Sequence, residues 1–164
     1  MPVFAALTRR CGRLAERYGE RLCTASDPSL SRLFPAPHTL ATASLTAIGC
    51  TPSQAETIRT VAAAVANGHW ARGAAANRAE AIAQFTAFPG IGAWAAQMLA
   101  MRALGEPDAF PADDQILRRA AARPGEGPLT TAQLLAQAEA WRPWRAYAAM
   151  YLWAQQGHGA ARAT

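Results

Sequence analysis

Residues 88 to 114 hold the side chains best suited to chemistry. They open on Phe88-Pro89-Gly90-Ile91-Gly92, pass through an apolar stretch from Ala93 to Ala103, and close on two adjacent acids, Asp113 and Asp114. Two glycines around one apolar residue allow a tight reversal, because glycine takes positive φ and lets another backbone come close. N–H groups at the start of the next helix lack partners and can dock a phosphate oxygen. Gly90, Gly92, Ala93 and Ala95 are the candidates for that contact. A carboxylate nearby can stabilise positive charge, such as the oxocarbenium-like character on a sugar whose bond to a base is breaking. At about 4 Å and an effective dielectric of about 20, the attraction is roughly 4 kcal/mol. Felt only in the transition state, it approaches about a thousandfold in rate. Both features also have plainer readings. The turn serves as an ordinary helix–helix connection, and Asp is a preferred helix cap after a proline-containing loop.

The elements that must carry these residues read as helices. Alanine-rich segments separated by Pro, Gly and Ser dominate, and clusters of β-branched residues are few, so the fold class is all-α. Helices are expected over Val3–Tyr18, His38–Ala43, Ser44–Ile48, Thr51–Asn67, Arg78–Phe85, Ala93–Ala103, Asp113–Ala122, Thr130–Ala140 and Pro143–Gln155. Thr51-Pro52 is a strong helix entry, with Thr capping and Pro in the first turn. Asp27–Pro37 reads as a loop and Gly157–Thr164 as a frayed tail. The hairpin occupies 78–103, the helix after the acids 113–122, and the C-terminal helices 130–155, within one region spanning 1–164.

At 164 residues, one domain or two small lobes sharing a cleft is the expectation. A net charge of +5 favours acidic partners. All 16 basic residues are arginines, a side chain suited to bidentate phosphate contact. A side-chain Schiff base needs a lysine amine, so no such intermediate can form on a side chain here. Cys11, Cys23 and Cys50 are widely spaced, which disfavours a zinc or iron–sulfur site and fits reduced thiols in a cytoplasm. His38, His69 and His158 show no ligand spacing. No stretch is long and apolar enough to cross a membrane.

The motifs have a family resemblance. Phe88–Gln97 resembles the helix-hairpin-helix (HhH-GPD) motif of DNA base-excision glycosylases, and Phe110-Pro-Ala-Asp-Asp-Gln-Ile-Leu-Arg-Arg119 resembles the segment holding their catalytic aspartate. Pro143 to Trp153 is similar to the C-terminal helix of the bacterial 3-methyladenine glycosylase II branch, and Tyr18–Leu22 and Ile48–Ala64 match in order. The resemblance implies two helical lobes around a cleft, with the N-terminal α/β lobe of that branch absent. It implies hydrolytic removal of alkylated purines of the 3-methyladenine type by base flipping, leaving an abasic site. The partner is double-stranded DNA containing alkylated bases, in a bacterial cytoplasm at the nucleoid, and the protein is a monomer.

It also assigns residues. Asp114 takes the catalytic role, and Asp113 is its helix-entry neighbour. Trp94 stands where strand-cutting relatives carry a lysine, so the reaction is monofunctional, with water as nucleophile. Trp94, Trp153 and Met98 form the base pocket. An electron-rich indole attracts a cationic purine by roughly 0.5–2 kcal/mol, although a tryptophan packs into a core equally readily. Arg145 is expected at a phosphate, with Arg102, Arg118, Arg119 and Arg142 as further candidates. No cofactor is required; a Na or K ion is expected on the backbone carbonyls of Thr86, Phe88 and Ile91. The sequence departs from the family at Ala95, which usually bears a hydroxyl, at Met98, where an aromatic is common, and near Met1 and Pro2, the neighbourhood of the wedge residue. Two alternatives stand: a hairpin DNA-binding module without catalysis, and a glycosylase for deaminated or mismatched bases.

Overall fold

Helix entries written into the sequence set most of the architecture. A computed structural model describes residues 2–22, 31–70 and 77–161. Cys23, the Asp27–Leu30 part of the expected loop, Met1 and residues 162–164 of the expected tail lie outside them. In chain order the helices are α1 (Pro2–Tyr18), α2 (Pro37–Thr42), α3 (Pro52–Ala66), α4 (Arg78–Thr86), α5 (Ala93–Leu99), α6 (Gln115–Ala120), α7 (Thr131–Ala138) and α8 (Arg145–Ala161). Short 3₁₀ turns cover Leu45–Ile48 and Glu139–Trp141, and α5 runs on as a π-helical segment over Ala100–Leu104. Among the described residues the only β-type pairing is one isolated bridge between Arg21 and Arg32. The fold is all-α, as the composition requires.

α3 and α7 start on capping boxes. The Thr51 hydroxyl accepts from the Gln54 N–H while the Gln54 side chain accepts from the Thr51 N–H, and Thr130 with Gln133 repeats the arrangement. Each box satisfies two N–H groups that a helix start leaves unpaired. Several expected boundaries move. α8 continues through Gly157 to Ala161, so those residues are helical and not a frayed tail. α6 begins at Gln115, two residues after the expected start at Asp113.

The chain divides into two compact units. The first comprises residues 1–71 with the hairpin tip 88–90, and its core holds Leu14, Ala43, Leu45, Ile48 and Ala55. The second comprises residues 72–87 and 91–164. Its core is rich in alanine (Ala100, Ala109, Ala112, Ala138, Ala146 and Ala149) around Met101, Phe110, Leu117, Leu134 and Trp153. Small side chains let helix backbones approach closely, and the few large ones fill the remaining volume.

Candidate active site

The hairpin turn is fixed from within the first unit. Gly90 has φ of 86°, in the left-handed region that favours glycine. A Cβ there would lie 2.1 Å from Thr57 Oγ1. Thr57 in turn donates its hydroxyl to the Pro89 carbonyl at 3.0 Å and the Ser53 carbonyl at 3.1 Å. Gly92 differs. It caps α5 with an ordinary φ of −85°, and a Cβ there would meet nothing within 4 Å. Ala93 is exposed and Ala95 half-buried in the first turn of α5. Thr86 ends α4, where helix carbonyls lack intrahelical partners; Phe88 lies in the tip and Ile91 between the two glycines.

In the second unit, α5, α6 and α8 each bring an N–H donor to one carboxylate. Asp114 is the N-cap of α6: its Oδ1 accepts from the backbone N–H groups of Ile116 at 2.8 Å and Leu117 at 3.0 Å. The Trp94 indole N–H, one residue into α5, donates to Oδ2 at 3.1 Å. The Trp153 indole N–H, from α8, donates to Oδ1 at 3.5 Å, the outer limit for such a bond. Among the described residues no guanidinium lies within ion-pair distance of Asp114. The carboxylate is partly exposed, and so is the Trp94 ring, at 43%. Helix capping, the plainer of the two readings of the acids in the sequence, is what Asp114 does here, and its Oδ2 is held by an indole. Asp113, expected to open the helix, is not its cap; it accepts a hydrogen bond from the Thr131 hydroxyl at 2.9 Å instead.

Of the other residues singled out, Trp153 and Met98 belong to the apolar interior of the second unit, Trp153 buried within it and Met98 packed against it. Only the Trp153 N–H reaches the carboxylate, so the exposed ring beside Asp114 is that of Trp94. Arg145, expected at a phosphate, is 3% exposed. Its guanidinium donates to Asp108 Oδ1 at 2.6 Å, Oδ2 at 2.8 Å and the Asp108 carbonyl at 3.0 Å. A bidentate pair of this kind consumes the donors a phosphate would need. Asp108, on the loop before α6, claims this guanidinium, a pairing over 37 residues that local spacing does not reveal.

Asp108 is the residue that sequence reasoning missed. It also pairs with Arg142, and with Arg78 at 3.7 Å. Burial pushes its carboxyl up, but the Arg145 hydrogen bonds and the charges of Arg145, Arg142 and Arg78 outweigh this and hold it below its ordinary value. The hydrogen bond from Arg142 likewise lowers Glu139, and Glu139 raises Arg142. The Ala146 N–H donates to the Pro107 carbonyl at 2.9 Å. These bonds clamp the loop before α6 to the start of α8, the helix that brings Trp153 to Asp114. Arg118 is occupied as well, donating to the Leu129 carbonyl. Arg102 and Arg119 are exposed.

No protein-family model matches the chain. It is 35% identical over 153 residues to a probable bifunctional transcriptional activator/DNA repair enzyme AlkA of Mycobacterium tuberculosis, a match covering 93% of this chain and 30% of that protein. It is 33% identical over 156 residues to DNA-3-methyladenine glycosylase 2 of Escherichia coli, covering 93% and 52%. The chain thus spans about half or less of the length of these curated relatives. Its fold is similar to that of the 3-methyladenine DNA-glycosylase of Archaeoglobus fulgidus, with a TM-score of 0.73 at 24% identity over 91% of this chain and 51% of that one.

Proposed function

The chain belongs to the helix-hairpin-helix (HhH-GPD) DNA base-excision glycosylase superfamily, and on that premise we propose that it hydrolyses the bond between deoxyribose and an alkylated purine, with Asp114 as the catalytic carboxylate. The observation that carries this reading is the setting of Asp114: a partly exposed carboxylate, oriented by N–H donors from three helices, beside an exposed indole. As the base departs with the bonding electron pair, positive charge grows on the sugar, and in this reading the Asp114 carboxylate stabilises it. Water adds to the anomeric carbon and loses a proton, leaving an abasic sugar and free base. A purine nucleotide alkylated at ring nitrogen N3 or N7 is cationic, so the base leaves readily and is drawn to the face of Trp94. Alkylation also weakens pairing and stacking, lowering the few-kcal/mol cost of flipping the nucleotide out.

The absence of lysine from the whole sequence supports hydrolysis without strand cutting. Phosphates of double-stranded DNA are taken by the hairpin amides at Gly90, Gly92, Ala93 and Ala95, and the exposed Arg102 and Arg119 are further candidates for phosphate contact. A Na or K ion on the carbonyls of Thr86, Phe88 and Ile91 would complete the turn; the oxygens are of the type a monovalent cation accepts. The activity belongs in a bacterial cytoplasm.

Asp114→Asn tests the assignment. Asn is as good a helix cap as Asp, so the fold and DNA binding should persist. Release of methylated purines from a methylated duplex should fall about a thousandfold, the rate equivalent of roughly 4 kcal/mol. Equal release by variant and parent would remove Asp114 from the chemistry. The alternative reading is a hairpin module that binds DNA without cleaving the bond. That reading expects salt-sensitive duplex binding and no abasic product from methylated, deoxyinosine- or uracil-containing duplexes assayed side by side.

A further inference from the structure

Trp94 and Gln97 are the two strong hydrogen-bonding side chains between Ala93 and Met101, a stretch otherwise of alanine, methionine and leucine. Both are spent on the same partner, the loop that ends at Asp114. The Trp94 indole N–H reaches Asp114 Oδ2 at 3.1 Å. The Gln97 side-chain oxygen accepts the Phe110 N–H at 2.9 Å. Three residues apart on α5, the two side chains share a face of the helix. Their partners lie four residues apart on the loop.

The loop itself is buried from Ala109 to Ala112. Buried N–H groups need partners, and this run finds most of them in its own backbone. Ala109 donates to the Glu106 carbonyl at 3.3 Å and Ala112 to the Phe110 carbonyl at 3.0 Å, while Pro111 has no N–H to place. Of the four, only Phe110 donates to another element, through Gln97. Its ring is fixed as well, edge-on to Trp141 with centroids 5.9 Å apart. From there the chain is braced to the acid, because the Asp114 N–H donates to the Pro111 carbonyl at 2.9 Å. A shift at Phe110 is therefore carried to Asp114.

We propose that Gln97 is a positioning residue for base release. It holds the face of α5 in register with the acid loop, so that the Trp94 indole meets Asp114 and the exposed ring stands beside the carboxylate. One hydrogen bond between helix and loop would leave the helix free to turn about it; two fix both separation and rotation. Gln97 acts through these neighbours and not on the substrate, and the role rests on the reading of Asp114 as the catalytic carboxylate. A misplacement of about 1 Å can cost a reaction about a hundredfold. The hairpin turn is held separately, by Thr57 on the Pro89 carbonyl, so the loss should fall on rate and not on duplex affinity.

Gln97→Met keeps the length of the side chain and removes the oxygen. Single-turnover release of base from a methylated duplex, well below the melting temperature, should slow about 10–100-fold, while affinity for unmethylated duplex should stay within about twofold. Gln97→Glu keeps an acceptor oxygen at the same reach and should stand nearer the parent. Solvent exchange of the Trp94 indole proton, followed by NMR on the protein without DNA, should quicken in Gln97→Met and not in Gln97→Glu. A Gln97→Met rate within about threefold of the parent's overturns the proposal, as does a Gln97→Glu rate as slow as that of Gln97→Met. Unchanged indole exchange overturns it too, and is read without any activity. Base release that survives Asp114→Asn would instead remove the catalytic reading, and the exchange measurement would still decide whether Gln97 holds Trp94 to the acid.

Discussion

Two carboxylates six residues apart, Asp108 and Asp114, receive opposite treatment from the same unit. Asp108 is saturated with cations: Arg145 and Arg142 at hydrogen-bond distance, and Arg78 further out. Asp114 receives only neutral N–H donors, and one of its oxygens has a single indole as partner. A carboxylate neutralised by two or three guanidinium groups has little field left for a developing sugar cation. One held by amides and indoles keeps its full charge available while its direction is fixed. The hairpin glycines repeat the contrast. Gly90 is required by its own protein, through φ and through Thr57; Gly92 faces open space. In each pair the fold makes the heavier demand on one member.

Breaking the saturated member should cost the most in stability. Asp108→Ala strands Arg145, a buried guanidinium, without its main partner. Removing one side of such a pair typically destabilises by about 3–5 kcal/mol, which chemical denaturation would measure directly. An unfolding free energy within about 1 kcal/mol of the parent's would mean that the loop and α8 hold together without it. Asp114→Asn should do the reverse, sparing stability and removing base release.

Acid should find the same difference. The Asp108 carboxyl lies below its ordinary value of 3.8 in the folded protein. The stability it provides is therefore complete above that value and is lost as pH falls through it toward the lower folded value. Melting temperature measured from neutral pH downward should drop below about pH 4, and drop less steeply in Asp108→Asn. Identical slopes in the two proteins would assign the acid sensitivity elsewhere, with Glu139 next to examine because Arg142 also lowers it.

How much of this was legible beforehand follows from the range of the interactions involved. Capping at Thr51 and Thr130, the all-helical class and the hairpin are local, written within three or four residues, and the structure contains them. The terminal position of Gly157–Thr164 predicts a frayed tail, yet α8 continues through Gly157 and Gly159 to Ala161. The role of Arg145 is not legible locally, because its partner lies 37 residues earlier on a loop with no pattern of its own. The indole bonds to Asp114 span 20 and 39 residues. Nothing in spacing alone announces that two tryptophans will aim their N–H groups at one acid. The family resemblance marked all three residues, but as base pocket and catalyst, without the bonds that join them.

The glycines give the smallest and most discriminating test. In Gly90→Ala the new methyl group would sit 2.1 Å from Thr57 Oγ1 in a backbone conformation alanine rarely adopts. The left-handed conformation alone costs about 1–2 kcal/mol, and relief of the contact adds to it. Thr57→Ala in the same chain should recover part of the loss, because the hydroxyl it removes is the nearest obstacle. Gly92→Ala meets no neighbour and needs no unusual φ, so its stability should stay within about 0.5 kcal/mol of the parent's. Its duplex affinity should nevertheless fall several-fold, because a methyl group at a helix start holds a phosphate away from the N–H groups it would contact. Unchanged stability with unchanged affinity would mean that no backbone of DNA approaches Gly92, and the division between glycines used by the fold and glycines left for a ligand would fail at the one residue where the fold itself makes no demand.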